Sequence, residues 1–304
     1  MGKSSTSNTG SAPHTSNEVI EGLLKERILR VEKELTADAI TYRGPIVFSI
    51  DDLIRDATEA LSPKRNRLAM ILETEGGYIE VAERIARVFR HHYKFVEFII
   101  PNFAMSAGTV LVMSGDAIRM DYYSVLGPID PQVERAGARG KWVPALGYLE
   151  KFNDLIKRSR RGKLSSAEMT FLVEKFDPAE LFRYEHERDL SIALLKEWLV
   201  KYKFKNWTVT ETRGIKVTAR MREKRAEQIA ATLNKPKIWH THSRGIPMQV
   251  LTNKLNLKID DLCASPRIDS AIKEYDRLLK DYMMRRTMNV AIHTRDAYQG
   301  FEMG

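Results

Sequence analysis

The chain has 304 residues, of which 43% are hydrophobic, so it is long enough to bury the core of one large domain. Its single cysteine, Cys263, excludes an intramolecular disulfide, so we expect a protein of a reducing compartment, the cytoplasm. No apolar run approaches the roughly 20 residues of a membrane-spanning helix, so we expect a soluble protein. The formal charge is +9, but no aromatic residue interrupts the densest basic run, between Lys157 and Lys163, so we expect a solvated helix end and no nucleic-acid partner.

The first predicted elements follow a polar N-terminal segment. Residues 1–16 are rich in serine, threonine and glycine, lack the apolar stretch of a signal peptide, and are predicted to form a disordered tail. Apolar residues at helical spacing predict an amphipathic helix over Asn17–Leu35. The apolar run Pro45–Ile50 predicts a strand, after which Asp51 is a typical cap for a helix that ends at Leu61.

Two strand–turn–helix units follow, and a third strand closes the series. Each unit begins with a continuous apolar run, which is typical of a strand buried on both faces. Alternating strands and helices predict a mostly parallel sheet with crossover helices, and both turns fall where such sheets place their sites. The predicted strands are Leu68–Leu72, Phe95–Ile100 and Ala117–Met120. The predicted turns are Glu73–Gly77 and Pro101–Gly108, and the predicted helices are Tyr78–Phe89 and Thr109–Met113.

The second half of the chain is predicted to be mostly helical. We expect one large α/β domain over residues 17–262 with a helical insertion at about 144–235, and a C-terminal helical tail over 263–304. A short strand is predicted at Ile238–His242, with a helix from there through Leu255. The other predicted helices are Pro144–Ile156, Glu168–Phe176, Pro178–Tyr202, Arg220–Leu233 and Ile268–Arg286.

The two turns carry residues suited to acyl transfer. Ser106 lies among small residues where a strand gives way to a helix, so its hydroxyl can be exposed as a nucleophile next to the first amides of that helix. Gly76 and Gly77 form the other turn, and a glycine can bring its N–H close to a substrate carbonyl. A Gly-Gly turn alone is also typical of an ordinary turn, and a serine at the start of a helix is also typical of a helix cap. The prediction of an acyl-transfer site therefore depends on the order and separation of the two turns along the chain.

Four stretches resemble the serine dehydrogenase proteinase family, which is similar to signal peptide peptidase A and, more distantly, to the Clp proteolytic subunit. The run Leu-Gly-Pro-Ile-Asp-Pro-Gln is the most specific of them, and weaker likeness returns near His240, His242 and Pro247. The stretches are Glu73–Gly77, Ala82–Ala86, Phe103–Thr109 and Val125–Gln132.

This resemblance implies a ClpP/crotonase-like α/β fold, hydrolysis of peptide bonds in a peptide or protein substrate, no cofactor or metal, and a homo-oligomer. It implies that Ser106 is the nucleophile and that the Gly77 and Ala107 amides form the oxyanion hole, with Gly76 in the same turn. The chain departs from the family in three ways. Glu75 replaces a proline before the glycines, a polar tail replaces the membrane segment of many members, and no histidine stands near Gly127 where the Clp triad has one.

The general base is therefore sought among other residues. Relatives of the signal peptide peptidase A type use a lysine several dozen residues after the serine, and Lys141, beside the apolar Trp142, is our first candidate. Lys151 lies on a charged helical face, and His186 between two glutamates is an alternative base or cleft residue. His240 and His242 alternate on the predicted strand without further metal ligands, and His242 is expected to line the cleft.

Three functions are consistent with these residues. The first is a serine peptidase with a Ser–Lys dyad. The second is a catalytically inactive scaffold of the same fold, which the absent triad histidine and Glu75 suggest. The third is a crotonase-like acyl-CoA enzyme, which has paired oxyanion amides but needs no serine nucleophile.

Overall fold

The computed structural model of the chain describes residues 15–129, 132–134, 142–239 and 245–303. The helices are Ser16–Leu35 (α1), Ile50–Ala60 (α2), Ile79–His92 (α3), Ala107–Val112 (α4), Ala145–Arg160 (α5), Ser166–Lys175 (α6), Pro178–Trp198 (α7), Ala219–Leu233 (α8), Pro236–Trp239 (α9), Met248–Asn253 (α10) and Pro266–Arg285 (α11). The strands are Asp38–Arg43 (β1), Arg67–Glu73 (β2), Phe95–Ile100 (β3), Phe103–Ala104 (β4), Ala117–Met120 (β5), Val125–Leu126 (β6), Gln132–Glu134 (β7), Trp142–Pro144 (β8), Ile246–Pro247 (β9), Asp260–Asp261 (β10), Val290–His293 (β11) and Tyr298–Phe301 (β12). No helix in these ranges is both long and apolar enough to span a bilayer.

A mostly parallel sheet forms the centre of the molecule, which confirms the predicted α/β class. Its seven strands run in the order β10-β5-β3-β2-β1-β11-β12. The strands from β10 to β1 are parallel to one another, whereas β11 is antiparallel to both of its neighbours. The predicted runs at 68–72, 95–100 and 117–120 lie within β2, β3 and β5. The two predicted turns therefore leave neighbouring parallel strands at the same edge.

Helices cover both faces of the sheet. Along β1, Ile40 and Tyr42 join the larger core cluster with α2, α3 and α4, while Ala39, the residue before Ile40, joins the smaller cluster with α1 and α11. This alternation follows from the two-residue period of a strand and explains why strands buried on both faces are apolar throughout. The side that carries α3 and α4 is also the side to which the two turns lead.

The two long terminal helices pack against each other within one chain. Leu24, Ile28 and Val31 of α1 share a buried cluster with Ile272 and Leu279 of α11. The apolar stripes of these helices therefore cover each other within the chain, so the expected homo-oligomer rests on the family resemblance. The segment 263–304 is also not simply a helical tail, because β11 and β12 follow α11 and pair into the sheet beside β1.

The first strand lies earlier in the chain than predicted. The apolar run Pro45–Ile50 predicts this strand, but only Ile46 of that run makes a bridge, to Gly77, and the strand is Asp38–Arg43. Asp38 and Arg43 interrupt the apolar pattern of this buried strand. Each is compensated by a residue far along the chain, since Arg295 binds Asp38 at 2.8 Å and Asp276 binds Arg43 at 2.7 Å. The predicted strand at 238–242 is also wrong in its described part, where Pro236–Trp239 is helical.

Buried His293 on β11 is expected to make the stability of the fold depend on pH. Its Nδ1 lies 2.8 Å from the Tyr275 hydroxyl, and burial lowers the pKa of the imidazole from 6.5 to about 4. The unfolded chain therefore binds this proton at a higher pH than the folded chain. The stability that the neutral ring contributes is present above pH 6.5 and is lost as the pH falls toward 4.

We expect the free energy of unfolding of the wild type to fall by up to about 3 kcal/mol more than that of His293→Gln between pH 7 and pH 4, at about 1.4 kcal/mol per pKa unit. Glutamine retains a polar partner for Tyr275 but does not titrate. Urea denaturation of both proteins across this pH range measures the difference. Equal slopes of stability against pH in the two proteins would assign the acid sensitivity to other groups.

Candidate active site

The two turns meet at the carboxyl edge of the sheet because β2 and β3 are adjacent. After β2 the chain passes through Thr74–Tyr78 into α3, and after β3 it passes through β4 and Ser106 into α4. Two backbone hydrogen bonds join the segments, from the Thr74 amide to the Phe103 carbonyl at 3.2 Å and from the Met105 amide to the Thr74 carbonyl at 2.9 Å. The turns therefore form one rigid unit.

Gly76 allows this close approach. It has φ +100°, and a β-carbon there would lie 2.7 Å from the Met105 carbonyl oxygen and 2.8 Å from the β-carbon of Ser106. Both the backbone angle and the contact exclude a side chain. Gly76 thus brings the first turn into contact with the serine.

Gly77 is held from the opposite side by Ile46. The Ile46 amide donates to the Gly76 carbonyl and the Tyr78 amide donates to the Ile46 carbonyl, both at 2.8 Å. A β-carbon on Gly77, which has φ +146°, would lie 2.1 Å from the Ile46 carbonyl oxygen. These bonds fix the Gly77 peptide, while the Gly77 amide itself donates to no residue in the described ranges.

Ser106 has a strained backbone at the start of α4. Its φ and ψ are 50° and −119°, a conformation that costs a residue with a side chain on the order of 1–3 kcal/mol and that clusters at functional sites. The Met105 carbonyl accepts from Gly108 at 2.8 Å, and the Ser106 carbonyl accepts from Val110 at 3.2 Å. The turn is therefore held on both sides of the serine, in the manner of a nucleophile elbow.

A third segment supports the serine from behind. A β-carbon on Gly127 would lie 3.0 Å from the Ser106 nitrogen, so only glycine permits this packing. The Thr109 hydroxyl accepts from the Gly127 amide at 2.9 Å and lies 2.8 Å and 3.0 Å from the carbonyl oxygens of Ala104 and Gly127. The glycine of the Leu-Gly-Pro-Ile-Asp run is thus a structural partner of the serine turn.

A small pocket lies beside the serine. Ser106, Gly77 and Ala107 contribute to its lining, and the side chains of Ile79, Val110 and Ile129 form its apolar part. The Ala107 amide, like that of Gly77, has no acceptor within the described part of the chain. Ser106 and the two residues whose amides have no acceptor in the described ranges thus line one cavity, a set of groups that could bind a carbonyl oxygen and attack its carbon.

Helix α7 completes the pocket with Glu187 and Ser191. Burial raises the pKa of the Glu187 carboxyl to about 7; the Glu80 carboxylate adds to the rise, and the Arg183 guanidinium opposes it. Glu187 was not among the residues expected from the sequence; its neighbour His186 was, and it is exposed and stacks on Phe182. The periodicity of α7 could have found it, because Glu187 lies three residues after buried Tyr184 and four before buried Ser191.

The structure brings together four of the site residues expected from the sequence, namely Ser106, Gly76, Gly77 and Ala107. It places His186 outside the pocket and Lys151 exposed on α5, and the side chain of Glu75 is exposed. Lys141, His240 and His242 lie outside the described residues.

One cluster away from the pocket has the donor types of a metal site. A carboxylate oxygen of Asp121, the Cys263 sulfur and a carboxylate oxygen of Asp269 lie within 4.8 Å of one another. The Lys273 ammonium lies 2.9 Å from Asp121 and 2.8 Å from Asp269. The Lys273 ammonium thus already pairs with both carboxylates of this cluster.

Comparison with known proteins gives the same classification as the motifs. Residues 31–143 match the family model described as ClpP-like SDH-type serine proteinase. An uncharacterized protein of Methanocaldococcus jannaschii is 31% identical over 161 residues, which cover 50% of this chain and 50% of that protein. A second uncharacterized protein of the same organism is 38% identical over 85 residues, which cover 26% of this chain and 30% of that protein. The chain thus spans half or less of the length of these relatives. The part of the chain that matches the ClpP-like SDH-type serine proteinase model, residues 31–143, contains both turns of the pocket.

Proposed function

We propose that the chain is a serine peptidase that hydrolyses peptide bonds through Ser106. The observation that carries this proposal is the strained Ser106 backbone, in a residue that lines one pocket together with Gly77 and Ala107. The family match to a serine proteinase supports the same reaction. Strain of this kind is retained where it positions a reacting group.

In the proposed reaction a base removes the hydroxyl proton of Ser106 as its oxygen attacks the scissile carbonyl carbon. The Gly77 and Ala107 amides donate to the oxygen that becomes negative. The base returns the proton to the leaving amine, which leaves an acyl-enzyme. Water then attacks the ester through the same base and releases the acid. We propose Lys141 as that base, following the lysine of signal peptide peptidase A-type relatives.

Labelling with an alkyl fluorophosphonate, followed by peptide mass spectrometry, tests the assignment. We expect one adduct, on Ser106. Protein that cleaves casein without an adduct on Ser106 would contradict the proposal, and inert protein that takes no label would favour the scaffold. Thioester turnover that persists in Ser106→Ala would favour the acyl-CoA enzyme. A homo-oligomer in the cytoplasm is also proposed, on the family resemblance and the lone cysteine.

Gly77→Ala is expected to lower kcat by about 10²–10³-fold, which is typical of losing one oxyanion donor. The added β-carbon meets the Ile46 carbonyl oxygen, so the turn must shift and move the amide. Hydrolysis of fluorescein-labelled casein measures the loss, and circular dichroism reports folding. Gly147→Ala on α5 is the matched control, because a β-carbon there has nothing within 4 Å. Unchanged turnover in folded Gly77→Ala protein would remove this amide from the mechanism.

A further inference from the structure

The pocket beside Ser106 has the size of a single water molecule. Its volume is about 10 Å³, close to the smallest space in which a protein can hold one water. The side chains of Ile79, Val110 and Ile129 in its lining are buried and apolar, so they confine a water without binding it. The pocket can therefore take a water but no substrate side chain, and the polar lining residues decide how that water is held.

Glu187 is an acceptor that lacks a donor. Its side chain makes no hydrogen bond or ion pair with another residue of the described ranges. Burial nevertheless raises the pKa of this carboxyl to about 7, so bulk water solvates it only in part. Partly buried polar groups of this kind are normally satisfied by the protein or by an ordered water. A water in the pocket that Glu187 lines would supply the missing donor.

Ser191 adds a second acceptor to the same side of the pocket. It lies four residues after Glu187 on α7, and residues four apart share one face of a helix. The Ser191 hydroxyl donates its proton to the Glu187 main-chain carbonyl at 2.8 Å, so toward a water it offers lone pairs. Two acceptors on α7 would draw the hydrogens of the water toward that helix and leave its lone pairs for the rest of the lining, which includes Ser106.

We propose that this pocket holds the water that hydrolyses the acyl-enzyme, and that Glu187 orients this water by accepting one of its hydrogens. The inference rests on the proposed function, because the ester forms on Ser106. The water oxygen bonds to the ester carbonyl carbon, and the other proton of the water passes to the base of the proposed reaction. The bond from that carbon to the serine oxygen then breaks, its electron pair stays on the serine oxygen, and the base returns the proton there. Glu187 leaves the step unchanged.

Hydrolysis of 4-nitrophenyl acetate separates the two halves of the reaction. Release of nitrophenolate in the first turnover measures acetylation of Ser106. The decay of the acetyl-enzyme, followed by intact-protein mass spectrometry after removal of the ester, measures its hydrolysis. Glu187→Met keeps the length of the side chain without its oxygens. We expect it to slow the decay about ten- to a hundredfold, from the loss of one hydrogen bond to a charged group, and to leave the acetylation rate unchanged.

Two further variants accompany this measurement. Glu187→Gln keeps an amide oxygen that can still accept, so its acetyl-enzyme should decay faster than that of Glu187→Met. Glu185→Met is the matched control, since Glu185 is exposed on the same helix, and its acetyl-enzyme should decay at the wild-type rate. Fluorophosphonate labelling of Ser106 should be retained in all three variants, which reports that the serine turn is folded.

The pH dependence of the decay gives a second readout. Glu187 is the stronger acceptor when ionised, above its pKa of about 7. Besides burial, Glu80 of α3 raises this pKa and Arg183 of α7 lowers it. Helix α4 carries no charged side chain, and no charged residue of α5 or α8 is among the groups that act on Glu187. The ratio of the wild-type decay rate to that of Glu187→Gln should therefore rise from pH 6 to pH 8. Taking the ratio removes the pH dependence of the base, which both proteins share.

An unchanged acetyl-enzyme lifetime in Glu187→Met, or a ratio of wild type to Glu187→Gln that stays flat with pH, would overturn the inference and leave Ser106 as the nucleophile. Acetylation that slows as much as the decay would also overturn it, because Glu187 would then support the site as a whole. If the wild type takes neither the acetyl group nor the fluorophosphonate on Ser106, the proposed function is wrong and the inference fails with it.

Discussion

Ser106→Ala is expected to reduce peptide hydrolysis by about 10⁴-fold or more while the fold is retained, because the reaction loses its nucleophile. Alanine keeps the β-carbon that packs against Gly76, so the turn retains its contact. Casein hydrolysis measures the loss, the fluorophosphonate adduct should disappear with it, and circular dichroism should be unchanged.

Ser114→Ala is the matched control for this variant. Ser114 is also buried, and its hydroxyl donates to the Leu111 carbonyl at 2.6 Å, away from the pocket. Its loss should lower the free energy of unfolding by about 1 kcal/mol and leave activity intact. Full hydrolysis by purified Ser106→Ala would exclude Ser106 as the nucleophile.

Lys141→Ala and Lys141→Arg should each abolish activity if Lys141 is the base. A lysine accepts the serine proton only when neutral, so its pKa must lie well below the usual 10.4, near 7 or 8. Arginine keeps its charge but stays protonated at any working pH, so it cannot replace the lysine. Fluorophosphonate labelling of Ser106 should fall in parallel, because the same base activates the serine toward the reagent.

The pH–rate profile identifies the base. Activity should rise with pH along a limb set by the lysine, since the deprotonated amine is the active form. Measuring the rate of fluorophosphonate labelling in Glu187→Gln removes the contribution of Glu187, whose pKa of about 7 lies in the same range. Lys151→Ala, an exposed lysine on α5, serves as the control. If Lys141→Ala keeps both the wild-type rate and the rise of activity with pH, the proposed dyad of Ser106 and Lys141 is wrong.

The elements next to the serine could be predicted because their signals are local. Strands β2 and β3 are buried on both faces, so each is an uninterrupted apolar run, and the following turns have the small residues that their geometry requires. Strand β1 was placed wrongly because Asp38 and Arg43 break its apolar pattern. Their partners, Arg295 and Asp276, lie more than 200 residues away in sequence. No local pattern shows that such charges are compensated.

The site could be predicted in part for the same reason. Gly76, Gly77 and Ser106 lie in two turns whose composition indicates their role, whereas Glu187 comes from a helix about 80 residues later. Its neighbours Glu185 and His186 are equally polar, so composition alone favours none of the three. Only the phase of the helix, set by Tyr184 and Ser191, distinguishes the residue that faces the serine.

The pairing of β1 with β11 also bears on the order in which the protein folds. During synthesis, β1 to β5 and both turns of the pocket emerge before residue 121, but the free edge of β1 has no partner until Val290–His293 has been made. An unpaired edge of a buried strand is a site for pairing with other chains. A fragment restricted to residues 31–143 would leave that edge open permanently. The nascent chain therefore depends on its last strands to protect an edge that its first strand exposes.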